Sequence, residues 1–489
     1  MSYTNPNLEG RLIIISLARD AFADLYTREI PGAVCSMLEG GASEVVYKVN
    51  EGGAEDTHDL YHVPFLLHPN GEPWHEANSY LLWCMRDKSP LERRTDEVRR
   101  RGSKLLDYLL FCETNNLDWL DFSGSRPPLR PTYKYFNNLV IAGKRSGGVI
   151  NQYTSVVYHF YKYVSQYWHP LDIRRVDTVK QVKFLVQTPR GAQVIDVMKR
   201  SQTRRTPSSN AIQNGFVRDG GDDLRPLTNI ELRLLLETIN GGGFWSTVER
   251  LILLTSLMTG ARKQTVLTMR LKHLKAFEET KLLSEGAYKL HAGPSTGIDT
   301  KNDKAQTLYF PKQLAEELIV LASSPAMKKR QTIFLNELRV LFPDQSFEED
   351  DVYLFLSDQC NSYYMAKSDP RYFMTKSPQT GQVTETIKRK LLKSITAGFP
   401  NDFSYHWLRA TFAYQLYQRL QVLIREGLMH MGDDIAFIQK RMHHESRQTT
   451  EGYLKLFKMT HEKICAQELW EKKLFNGSYD VLIVDSRHV

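Results

Sequence analysis

Apolar residues recur at helical spacing through much of this chain. In "ERRTDEVRRRGSKLLDYLLFCE", Leu105, Leu106, Leu109, Leu110 and Phe111 fall on one face beside arginines, and "INQYTSVVYHFYKYVSQY" repeats the pattern with aromatic residues. Both predict amphipathic helices, so 75–200 reads as an all-α module. The next stretch, "RSQTRRTPSSNAIQNGFVRDGGDDLRP", is rich in Ser, Asn, Gly and charge and has no apolar period, which predicts a linker over 201–225. Helical spacing resumes in "LTNIELRLLLETI", which opens on a threonine cap, and in "WSTVERLILLTSLMTGARKQTVLTM". Short strands then interrupt the helices: "YKLHA" and "QTLYFP" flank the turn-rich "GPSTGIDTKNDKA", and "VYLFLS" is a third apolar run. The expected architecture is multidomain. An all-α module precedes a mainly α, α+β domain over 226–475 with a small antiparallel sheet; residues 1–74 form an acidic extension or small domain, and 476–489 a tail.

Composition narrows the class. A chain of 489 residues has room for two or three domains, and 25 % charged with 42 % hydrophobic residues fits a globular protein. No apolar stretch approaches the roughly 18 residues that span a bilayer, so no membrane partner is expected and the cytoplasm or nucleoid is the expected location. The five cysteines, Cys35, Cys84, Cys112, Cys360 and Cys465, are scattered and never form a CxxC pair, which argues for free thiols and against a zinc knuckle. Net charge is +8, and its distribution says more than its sum. Residues 1–60 hold 4 Lys and Arg against 10 Asp and Glu, whereas 86–205 hold 23 against 11. The basic segment suits a polyanion, although a solvated helix face would account equally well for Arg93, Arg94, Arg99, Arg100 and Arg101.

Candidate chemistry lies in the second half. Arg262 sits in "TGARKQTVLTM", Lys301 in the turn between the two strands, and His406 and Arg409 in "FSYHWLRATFAYQL"; the last two are three residues apart and share one helical face. "RMHHESRQTTEGYLKLF" then supplies His443, His444 and Tyr453. Two guanidiniums, an ammonium and two imidazoles around one phenol would be costly in an empty core. Around a phosphodiester they are useful, because planar arginine forks match its non-bridging oxygens. Taken singly, each motif has a bland reading as packing or surface charge. The histidines lack carboxylate or thiol companions at ligand spacing, so no metal is expected.

In that order and spacing, TGAR at 259–262, the turn lysine, HxLR at 406–409 and histidine nine residues before tyrosine resemble the tyrosine recombinases, or phage-type integrases. The likeness is good over 226–460 and weaker over 75–200, which resembles the family's core-binding domain. It implies a catalytic set of Arg262, Lys301, His406, Arg409, His444 and Tyr453, with Lys304 a rival to Lys301 in the same turn. The implied reaction is cleavage and rejoining of double-stranded DNA at recombination sites through a 3′-phosphotyrosyl link, without a cofactor, in the service of a mobile element. Tyr453 would attack the phosphorus, Arg262 and Arg409 would neutralise the non-bridging oxygens, and His444 would add a hydrogen bond. Lys301 would protonate the leaving 5′ oxygen, and His406 would assist the phenol. Implied partners are further copies of the chain, one or two on a site and four in a synapse, with accessory DNA-bending or directionality proteins as further candidates. A type IB topoisomerase and a non-catalytic DNA-binding protein are the alternatives.

Register decides between the histidines. Nine residues before Tyr453 lies His444, and His443 falls where the family usually has glycine, so it must either adopt a left-handed turn or close the preceding helix differently. Thr265 stands where an acidic residue is common, and an insertion is expected near "DPRYFMTKSPQTGQ". Beyond Tyr453, "THEKICAQELWEKKLF" and "YDVLIVD" read as an amphipathic helix and a strand that pack either in cis or on a neighbouring protomer. Lys144, Arg145, Arg204 and Arg205 are the candidate DNA contacts. If several such residues neutralise phosphates, affinity for duplex DNA should fall steeply as salt rises; a binding constant indifferent to salt would contradict the electrostatic reading.

Overall fold

A computed structural model describes residues 10–19, 34–37, 43–46, 59–86, 94–188, 191–205, 215–219, 222–242, 244–395, 397–444 and 447–458. The chain divides into two compact units, Met1–Ser209 with Phe373–Lys376, and Asn210–Tyr372 with Ser377–Val489. The fold is mainly helical with small two-stranded antiparallel sheets. The tail beyond 458 lies outside the described residues.

In the first unit β1 (Leu12–Ala18) pairs antiparallel with β4 (Leu60–Leu66), Leu12 opposite Leu66, and β2 (Val34–Met37) pairs with β3 (Ser43–Val46). Helices α1 (His75–Arg86), α2 (Arg94–Thr114), α3 (Pro131–Ile141), α4 (Gly147–Tyr167) and the short α5 (Ile173–Val176) follow. Their core is aromatic: Trp74, Tyr80, Tyr108, Tyr135, Phe160 and Tyr161 are fully buried. Buried phenols need partners, and they have them. The Tyr108 and Tyr161 hydroxyls bond at 2.6 Å, and Tyr135 donates to Asp107 at 2.6 Å. Leu60, Val63 and Leu66 belong to the same core, and the Asn78 side chain satisfies both the N–H and the C=O of Leu66, at 2.7 and 2.9 Å. The boundary expected at residue 74 therefore falls inside one packed unit.

Helix continues only to Val176. Beyond it β5 (Val179–Thr188) and β6 (Gly191–Arg200), ten residues each, pair as an antiparallel hairpin, a correction to the all-α reading of 75–200. The β-branched content of "VKQVKFLVQT" favours a strand, but Val179, Val182 and Val186 also fall at helical spacing, so the sequence does not separate the two.

The second unit begins earlier than the linker reading allows. Strands β7 (Val217–Asp219) and β8 (Asp222–Leu224) pair, and Val217 and Leu224 are buried in its core. Helix α6 (Asn229–Asn240) carries the expected Thr228 cap, completed by Glu231, and α7 (Thr247–Thr259) has the same box from Ser246 and Glu249. The short α8 (Lys263–Leu267) follows, then β9 (Ala287–Ala292) paired with β10 (Gln306–Pro311). Helices α9 (Lys312–Ser323), α10 (Pro325–Leu341), α11 (Val383–Ser394), α12 (Trp407–Arg425), α13 (Asp433–Met442) and α14 (Arg447–Lys458) complete it. "VYLFLS" is not a third strand. Val352 to Leu356 are wholly buried but make only single bridges, Arg270 with Tyr353 and Leu356 with Ser362; a run buried all round has no alternation to tell strand from threaded core segment. Among the described residues no helix is long and apolar enough to cross a membrane, and Cys84, Cys112 and Cys360 are free thiols.

Gly260 closes α7 in the left-handed region at φ 69°, where an added Cβ would lie 2.5 Å from Phe412 Cδ1. Gly260→Ala should cost roughly 2 to 4 kcal/mol in urea unfolding, strain plus overlap. Gly242→Ala, also at positive φ but with nothing within 4 Å, should cost only about 1 kcal/mol.

Candidate active site

Three segments of the second unit meet at one guanidinium. Arg409 lies in the first turn of α12 and is 2 % exposed. Its Nη1 donates to the Gly260 carbonyl at 2.5 Å and its Nη2 to the Met442 carbonyl. Gly260 follows the last residue of α7, and Met442 is the last of α13. Carbonyls at helix C-termini have no intrahelical donor and carry the negative end of the helix dipole, so each is an apt partner for a buried cation. The arginine thereby fixes where the TGAR turn and the end of α13 stand relative to α12.

The end of α13 is unusual in its residue. His443 takes the left-handed conformation, φ 52° and ψ 41°, and the N–H of His444 reaches back to the Gln439 carbonyl at 3.1 Å, closing the helix as glycine would. The histidine accepts the strain and gains a contact: its Nε2 lies 3.1 Å from the Thr307 carbonyl on β10. A carbonyl only accepts, so Nε2 carries the proton. Burial and the nearby Arg409, then Arg262 and Arg441, push this imidazole down to about 4, against the opposing pull of the Thr307 carbonyl. His443 is therefore neutral near pH 7.

His444 is buried, with Nδ1 3.0 Å from the Thr450 hydroxyl. Its ring stacks on that of Tyr453, centroids 5.2 Å apart and planes at 24°. Tyr453 is fully buried. The two residues, nine apart in sequence, thus meet face to face, while Thr450 sits one turn before the tyrosine on α14.

The other expected members lie on the neighbouring elements of the same unit. Arg262 is the residue before α8, in extended conformation, and Thr265 behind it is buried. His406 is half-buried at the start of α12. Lys301 is exposed on a short 3-10 turn between β9 and β10, and Lys304 is half-buried at that turn's end, where the Thr300 hydroxyl donates to its carbonyl at 2.6 Å.

The candidate DNA contacts separate into two kinds. Lys144, Arg204 and Arg205 are exposed, and the backbone of Arg204 is held at both its N–H and C=O by Asn151, at 2.7 and 2.9 Å. Arg145 is half-buried in a fork to Asp107, at 2.8 and 3.3 Å, with its guanidinium 4.2 Å from the Tyr153 centroid. In this structure Arg145 is tied to Asp107 and to the Tyr153 ring. Arg99 and Arg101 pair with Asp96 and Glu97 on their own helix, so the arginine run is partly a solvated face.

Sequence reasoning passed over Thr450, Thr307 and Arg441. Arg441 lies with its guanidinium carbon 3.7 Å from the Tyr309 centroid, next to the His443 turn. Only Thr450 had a local signal, its position three residues before the tyrosine; the other two depend on which strand passes the end of α13.

No protein-family model matches this chain, and no curated protein is matched by its sequence. Among solved structures it is similar to the XerH site-specific recombinase bound to difH substrate in a pre-cleavage complex, at 15 % identity over 78 % of this chain and 86 % of that one, TM-score 0.37. It is similar to the Tn1549 transposon integrase in complex with circular intermediate DNA, at 13 % identity over 78 % and 93 %, TM-score 0.38. A lambda integrase dimer bound to a COC′ core site gives 11 % identity over 78 % and 94 %, TM-score 0.35.

A folded-state pKa near 4 for His443, against about 6.5 in the unfolded chain, means that the unfolded state binds the proton first on acidification. Stability from this group is complete above pH 6.5 and should be lost as pH falls towards 4. His443→Gly should flatten the fall in stability over that window, as read from urea midpoints at a series of pH values; an unchanged slope would show that His443 is not held neutral.

Proposed function

We propose that this chain is a tyrosine recombinase, a site-specific enzyme that cuts and rejoins double-stranded DNA through a 3′-phosphotyrosyl intermediate and so integrates, excises or transposes a mobile element. One observation carries the reading: the Arg409 guanidinium is locked between two helix ends, one in the turn that leads to Arg262 and the other beside His444, whose ring lies on Tyr453.

In the proposed reaction the Tyr453 oxygen attacks phosphorus, the bond to the 5′ oxygen breaks, and the phosphate remains on tyrosine through its 3′ oxygen. His406 assists removal of the phenol proton, and Lys301, or Lys304 from the same turn, gives a proton to the departing 5′ oxygen. Arg262 and Arg409 balance the charge that grows on the non-bridging oxygens. If the Thr450 hydroxyl donates to Nδ1 of His444, the ring proton sits on Nε2, the form that donates to a phosphoryl oxygen. Religation is the reverse attack by a 5′ hydroxyl, with the bond energy stored in the tyrosyl ester. Pairing of four protomers in a synapse is part of this proposal.

A nicked duplex carrying the recombination site, whose released 5′ end diffuses away, tests the chemistry. The parent protein should form a complex stable to denaturant, and should do so in EDTA. Tyr453→Phe should bind the same duplex within about twofold, since only the hydroxyl is lost, and form no covalent product. Covalent product from the phenylalanine variant would remove Tyr453 from its role, and cleavage without synapsis of two sites would favour a topoisomerase.

A further inference from the structure

A cavity of about 200 Å³ lies in the second unit, walled by Arg270, Phe334, Phe347, Tyr353, Ser368 and Asp369. Arg270 is 7 % exposed. Its Nη2 donates to the Ser368 hydroxyl at 2.9 Å, and its guanidinium carbon lies 5.3 Å from the Tyr353 centroid. Its Nε is buried and meets no protein acceptor, and among the described residues no carboxylate lies within salt-bridge distance of it. The nearby Asp369 is already committed: it accepts from Arg371 Nε and Nη2 at 3.1 and 2.9 Å and from the Tyr353 hydroxyl at 2.9 Å. Asp351, also on the wall, takes the Glu348 backbone N–H at 3.2 Å.

A guanidinium withdrawn from water and left without a counter-ion is unfavourable unless an anion completes it. The Arg270 side chain lines the open space, and an anion held there would face its guanidinium. One cation can balance one negative charge, and the two wall carboxylates oppose a second, which disfavours a dianion. A planar carboxylate matches the guanidinium fork, and Phe334, Leu338 and Phe347 offer an apolar face to whatever carries it. We infer that this cavity binds a small molecule bearing a single carboxylate, with Arg270 as its counter-ion and Ser368 as the residue that positions the guanidinium. The inference does not depend on the DNA chemistry proposed above.

Equilibrium dialysis of the full chain against radiolabelled benzoate, with acetate as competitor and no DNA present, tests it. The parent should bind benzoate saturably at one site per chain. Arg270→Met should reduce affinity at least ~10-fold, because a charge-assisted pair is lost. Ser368→Ala should weaken it severalfold, and acetate should displace the label. Non-saturable uptake would overturn the site, as would equal affinity in the parent and Arg270→Met; either outcome would mean that the cavity holds only water. Should Arg270→Met fail to fold, an undiminished affinity in Ser368→Ala would overturn it. Tighter binding of inorganic phosphate than of benzoate, measured by competition, would overturn the carboxylate assignment.

Discussion

A buried arginine with both ends of its fork on helix-terminal carbonyls is the constraint on which the rest of the site depends. Arg409 has lost its water, and what replaces it is the Gly260 carbonyl past α7 and the Met442 carbonyl ending α13. Each alone would leave a costly buried charge. Together they make the position of α12 a condition for both of the other helix ends. Gly260 must be glycine to turn there against Phe412, and the residue after Met442 must take a left-handed conformation for α13 to stop where it does.

From that fixed point the neighbouring groups follow. The left-handed His443 reverses the chain and sends its own ring to the Thr307 carbonyl of β10, tying the hairpin that carries Lys301 and Lys304 to the end of α13. His444 is turned inward, where Thr450 and the Tyr453 ring receive it. Glycine at 443 would make the same turn with less strain but without the tie to β10. The tyrosine is packed in the core, stacked under an imidazole and away from solvent, an environment that would keep water from the proposed nucleophile.

Much of this was legible in the sequence where the signal is local. The caps on α6 and α7 follow from Thr228 with Glu231 and Ser246 with Glu249, because a capping box is complete within four residues. The nine-residue spacing of the family resemblance pointed to His444, and it is the His444 ring that stacks on Tyr453. What was not legible depends on contacts distant in sequence. The threaded Val352–Leu356 run is apolar all round and reads equally as strand, and its neighbours, Met269 and Leu271, lie some eighty residues earlier. The hairpin of β5 and β6 was hidden because Val179, Val182 and Val186 also fit a helix face. That Arg145 pairs with Asp107 was not legible, because the carboxylate comes from another helix.

The account stands most directly on the identity of the nucleophile. A pool of nicked duplexes of random sequence, incubated with the full chain and then denatured, separates protein that has become joined to DNA; nuclease and trypsin then leave a nucleotide on the attacked peptide for mass spectrometry. The site geometry predicts the adduct on "QTTEGYLK", whose one tyrosine is Tyr453. An adduct on any other residue, or DNA bound in quantity with no adduct at all, would contradict it.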